Sequence, residues 1–278
     1  MMGENYYIAS EKPFIQLRCC QFPAYNSECG GRNIIIHLGL LDSIEHRMDL
    51  IESFRQISNV IVYEPRGFNK LYSPEKRGCY GITQFTEDLA LIIEKNKLKD
   101  RKFFIFGMSL GSAVALNYAV RKKGSQPKAL FLNSPESKIQ SRWYFKIVQL
   151  LPKFFYKFLT KIILYYYSFS IRRKNPENLE TIQYSINRFK EIGFFVPVRI
   201  YLECLCQYDI RGLESEINTP ILAFIAENNW FSDPENSKKI AQYHPQSDVI
   251  ELGGTHRIHV GREEILTKNI ENFINKIK

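Results

Sequence analysis

The chain has 278 residues, 45% hydrophobic and 24% charged, so it can bury a large core and is neither a disordered nor a fibrous sequence. Its formal net charge is +9, and the basic residues read as spread along the chain, with no zinc-finger spacing and no RNP-like run. No nucleic-acid partner is therefore expected; attraction to anionic lipid or to an acidic partner is what the charge leaves open.

In chain order, residues 14–22 read as an early strand, and 33–38 (NIIIHL) as a buried strand ending in His-Leu-Gly. Residues 43–56 carry helical spacing, with Met48, Ile51 and Phe54 on one face. Residues 60–63 (VIVY) form the next strand, and 84–95 a helix with Leu89, Ile92 and Ile93 apolar. Residues 103–106 are a strand and 109–121 a helix; 128–132, 221–225 and 248–252 are further strands, and 262–278 a closing helix. Strands alternating with helices predict a mostly parallel sheet. Between about 136 and 218 the pattern shifts to aromatic, basic, helical stretches. Lysines 153, 157 and 161 recur every four residues, which lines one face of an amphipathic helix. The expected division is a core of residues 1–135 and 219–278 with a helical cap inserted at 136–218.

The six cysteines, Cys19, Cys20, Cys29, Cys79, Cys204 and Cys206, form no C-x-x-C pair, so no metal site is expected, and no cofactor either. Residues 1–5 lack a charged segment leading into an apolar one, so reduced thiols and a cytoplasmic location are the expectation. No uninterrupted run of about 18 apolar residues suggests a membrane span.

The segment Gly107-Met108-Ser109-Leu110-Gly111 is the most informative. It follows an apolar strand and precedes a helix rich in small residues. In that setting G-x-S-x-G presents a serine hydroxyl on a sharp turn at a helix N-terminus, where free N–H groups stabilise an oxyanion. Read with its neighbours, the chain resembles the α/β-hydrolases over nearly its whole length. His37-Leu38-Gly39 stands where the family has a His-Gly turn, and Glu64-Pro65-Arg66-Gly67-Phe68 where it has Asp-x-Arg-Gly-x-Gly. Thr86-Glu87-Asp88-Leu89 precedes the elbow, residues 220–225 resemble the strand before the acid loop, and Gly253-Gly254-Thr255-His256 the loop of the catalytic histidine.

The resemblance implies an α/β-hydrolase fold: a mostly parallel central sheet flanked by helices, with an inserted helical cap. It implies Ser109 as nucleophile, His256 as base with His259 as the fallback, and the N–H groups of Leu110 and Gly39 as oxyanion donors. Leu38 stands where the family has glycine, which displaces that turn by one residue, and His37 supports the loop. The third member departs from the pattern. Asn229 occupies the expected acid position, leaving Asp233, Asn229 and Glu136, in that order, as candidates; Asp233 also reads as a helix N-cap before Pro234. The implied activity is a serine esterase or lipase, nearest to monoacylglycerol-lipase-like or lysophospholipase-like enzymes. Its substrate would be a small-molecule ester or a lipid with an apolar or fatty-acyl group, and the cap would contact an anionic membrane peripherally. Asn229 motivates a second expectation, a weakly active or inactive ligand-binding member of the fold. Acyl transfer or thioester cleavage on the same scaffold is a third.

Overall fold

The computed structural model describes residues 3–11, 14–68, 74, 76–99, 101–121, 124–139, 150–174, 179–193, 195–227, 233–254, 256 and 258–277. Its strands are β1 (Glu4–Glu11), β2 (Phe14–Phe22), β3 (Arg32–His37), β4 (Asn59–Tyr63), β5 (Lys102–Met108), β6 (Leu130–Asn133), β7 (Ile221–Ala226) and β8 (Asp248–Leu252). They form one eight-stranded sheet in the order β1-β2-β4-β3-β5-β6-β7-β8. From β4 to β8 every pairing is parallel; β1 and β2 extend one edge antiparallel. This is the α/β-hydrolase fold that the sequence implied.

Strand periodicity builds a core on each face. Ile34, Ile36, Val60, Val62, Phe104 and Phe106 point to one side. There they meet Leu50, Ile51 and Phe54 of α1 (Met48–Phe54) and Leu266, Ile270 and Phe273 of α8 (Glu263–Lys276). Ile35, Ile61, Phe103 and Ile105 point to the other side, against α2 (Ile82–Lys95) and α3 (Leu110–Arg121). Between β6 and β7 the chain forms α4 (Lys153–Lys174), α5 (Leu179–Ile192) and α6 (Phe195–Glu203), and α7 (Pro234–Gln242) follows β7.

The helix expected over 43–56 is shorter. A 3-10 turn covers Glu45–Arg47, and the α-helix begins only at Met48. The buried Arg47 guanidinium pairs with Asp42 at 2.6 Å, which holds the first turn against the preceding loop. The strand expected over 128–132 runs from Leu130 to Asn133, one residue further along. Lys128 N–H donates to Phe103 O at 2.8 Å as a lead-in to that strand.

Two motifs quoted above prove to be parts of one device. Arg66, after β4, and Asp88, in α2, form a bidentate ion pair, with Nε–Oδ2 and Nη2–Oδ1 both at 2.7 Å. Each side chain is only 2% exposed. Arg66 Nη1 also donates to Cys79 O at 2.8 Å, so the loop after β4, the loop before α2 and the helix itself are fixed together.

Candidate active site

Ser109 sits between β5 and α3 with φ at +54°, the left-handed region that costs a non-glycine residue about 1–2 kcal/mol. Its neighbours allow the turn. A Cβ on Gly107 would lie 2.6 Å from Gly111 O, and one on Gly111 would lie 2.3 Å from His37 O. Both positions therefore need glycine because backbone approaches backbone. Ser112 Oγ lies 2.8 Å from Gly107 O and 2.9 Å from Asn133 O, tying the turn to the end of β6. Leu110 opens α3, so its N–H belongs to the first turn, which has no intrahelical acceptor.

The loop after β3 lies against this turn. A Cβ on Gly39 would be 3.2 Å from Met108 O, the residue before Ser109, so the backbone at Gly39 lies close against the turn. His37 is fully buried and its Nδ1–H donates to Leu38 O at 2.9 Å. Burial lowers its pKa to about 4, so the ring is neutral and acts as a spacer under the loop. Leu41 is also left-handed, at φ +69°.

His256 is partly exposed, in the loop after β8; Thr255 and Arg257 beside it lie outside the described residues. One link from His256 to the elbow runs through Asn133. Asn133 Nδ2 donates to His256 O at 3.3 Å, and Asn133 is in register with Met108 across the sheet. His259 is buried, and its Nδ1 is 3.2 Å from the same Asn133 amide. Asn133 thus holds both histidines of the loop next to the turn.

The candidate acids cluster at one end of α7. Asp233 is exposed and caps that helix, accepting from Glu235 N–H at 3.0 Å, as its place before Pro234 suggested. Glu136 Oε1 accepts from Asp233 N–H at 2.6 Å, and Oε2 accepts from Asn236 Nδ2. Both carboxylates are thus taken up at the α7 N-terminus. Asn229 lies outside the described residues.

Burial raises the Glu136 carboxyl from 4.5 to about 7, against two hydrogen bonds that lower it, and the Asp233 charge adds to the rise. A carboxyl raised on folding holds its proton better in the folded state, so stability is lost as pH rises through that window. The thermal midpoint is expected to fall between about pH 4.5 and 7, and Glu136→Gln to flatten that slope in melts across the range.

A family model described as serine aminopeptidase, S33, matches residues 33–276. The chain belongs to this family of α/β-hydrolases. No curated protein sequence matches it. Solved structures share the fold at low identity. A hydrolase from Pseudomonas aeruginosa PA01 superposes with a TM-score of 0.78 at 12% identity, over 98% of each chain. The enol-lactonase of Burkholderia xenovorans LB400 gives 0.75 at 16% identity, over 97% of this chain and 100% of its own. An esterase from Exiguobacterium antarcticum gives 0.75 at 16% identity, over 99% and 100%.

One group of contacts in this S33-family hydrolase was not legible in the sequence. Arg188, on α5, donates from Nε to Leu41 O at 3.3 Å and from Nη2 to Asp42 O at 3.2 Å and Phe68 O at 2.9 Å. Beside it Tyr184 Oη lies 3.2 Å from Ser43 Oγ, and the Tyr184 ring stacks on His46 at 3.7 Å. Helix α5 therefore grips the loops after β3 and β4, including the left-handed Leu41. Asn133 was readable only as a polar residue closing an apolar strand.

Proposed function

We propose that the chain is a serine hydrolase that cleaves a carboxylic ester through an acyl-enzyme at Ser109. The observation that carries this reading is the left-handed Ser109, held between two glycines that no larger residue can replace, at the start of a helix. Backbone strain of this kind is retained where it presents a reacting group. Ser109 Oγ would attack the ester carbonyl while His256 takes its proton. The oxyanion would accept from the N–H groups of Leu110 and Gly39. His256 would then protonate the departing alcohol, and water would release the acid by the reverse route. The esterase and enol-lactonase among the structural neighbours support carbonyl–oxygen cleavage as the reaction class. The aromatic-rich sequence between β6 and β7 favours an apolar or fatty-acyl substrate, as in monoacylglycerol-lipase-like or lysophospholipase-like enzymes.

A second reading rests on a separate observation: an asparagine, Asn229, stands in the sequence where the family has its acid. Without a carboxylate behind His256 the site would bind ligand with little turnover. A fluorophosphonate probe separates the two. Stable labelling at Ser109, absent in Ser109→Ala, is expected for the hydrolase. No labelling and no hydrolysis of short p-nitrophenyl esters would establish the binding protein instead.

A further inference from the structure

The cationic excess is not dispersed, which corrects the expectation drawn from composition. Residues 137–176 contain nine lysines and arginines and no acidic residue. The rest of the chain carries 29 basic and 29 acidic residues, so the whole formal charge of +9 resides in that one stretch.

Helix α4 lies within it, with six basic residues and no acid along its length. Tyr156 and Thr160 face inward; Tyr156 Oη accepts from Arg199 Nη1 at 3.1 Å, and its ring packs on Phe195 of α6. On the opposite side Phe154 is 67% exposed, Phe158 61%, Tyr165 70% and Phe169 58%. Positions 154, 158, 161, 165 and 169 step by three or four residues, so these aromatics and the exposed Lys161 share one stripe, which Lys157 flanks.

Scattered apolar residues on a surface need no explanation, but a continuous aromatic stripe marks an interface. Two observations identify what would cover it. Identical copies meeting along α4 would set one helix with six basic residues and no acid against another, like charge against like, at a cost. A surface of opposite charge would be drawn to both the lysines and the whole excess of +9. Among the described residues, no helix is long and apolar enough to cross a membrane. We propose that α4 docks on an anionic lipid bilayer. It would lie in the interfacial plane with its phenylalanines in the headgroup–acyl boundary and its lysines among the phosphates. This does not depend on what Ser109 does.

The test is co-sedimentation of the full chain with vesicles of phosphatidylcholine alone and of phosphatidylcholine mixed with phosphatidylserine. Binding is expected to the mixed vesicles only and to weaken steeply with added salt. Lys157→Gln with Lys161→Gln should weaken it about 25-fold, roughly fivefold for each lysine. Phe154→Ser, Phe158→Ser and Phe169→Ser together should abolish it at low salt. All these positions are exposed, and circular dichroism confirms that each variant is folded. Equal binding to both vesicle types, or variants that bind like the parent, would overturn the proposal. So would a dimer in sedimentation velocity that the serine variants dissolve, because the stripe would then cover a second copy.

Discussion

Ser109→Ala is expected to remove nearly all ester hydrolysis while leaving the fold intact, and the size of the loss carries information of its own. In a complete triad, removing the serine or the histidine alone costs about 10⁶ in kcat, and removing both costs little more, because the two act as one unit. An asparagine in place of the triad acid costs about 10⁴ by itself. If a carboxylate orients His256, Ser109→Ala and His256→Ala should each lower kcat by about 10⁶. If none does, the parent already lacks that factor and each variant should lose only about 10². Steady-state kinetics on a soluble p-nitrophenyl ester thus measure the third member without locating it. A full-sized loss in Ser109→Ala with little change in His256→Ala would remove His256 from the mechanism and turn attention to His259.

The largest stability effect is expected at Arg66. Its partner Asp88 is as buried as it is, and burial already holds the Asp88 carboxyl above its usual range despite the arginine. Arg66→Ala would leave that carboxyl without its counter-charge and Cys79 O without its donor. Breaking a buried pair on one side costs about 3–5 kcal/mol. In a chain of this size that corresponds to roughly 10 °C in the thermal midpoint. Replacing both partners with apolar residues of similar volume, Arg66→Met with Asp88→Leu, should cost much less, since no charge is then stranded. Melts of the two variants side by side decide it. Equal losses would mean that shape matters there rather than charge.

Both motifs of that pair were visible in the sequence; that they touch was not, because the contact spans 22 residues and two elements. The same division runs through the chain. Interior strands were legible because both of their faces are buried, as in the run of isoleucines at 34–36. Strand β1 was missed because it is an antiparallel edge strand with polar and exposed positions, so neither alternation nor an apolar run marks it. At the site, the Ser109 turn was legible because its constraint is local: two glycines within five residues. The third catalytic member was not, because it depends on which side chain a loop brings to His256. The residues nearest the expected position have strong local roles, Asp233 as a helix cap and Glu136 as its acceptor. Arg188 resembles any cation on an amphipathic helix, and its acceptor at Leu41 is 147 residues away.

That arginine joins two events that are usually treated separately. Moving α5 away from the sheet breaks its hydrogen bonds to Leu41, Asp42 and Phe68 together. Leu41 then loses a contact that helps hold it in an unfavourable conformation, two residues from Gly39. Displacement of α5 and relaxation of the Gly39 loop therefore belong to one equilibrium. Whatever draws α5 back onto the sheet also readies the loop beneath it, by the same free energy.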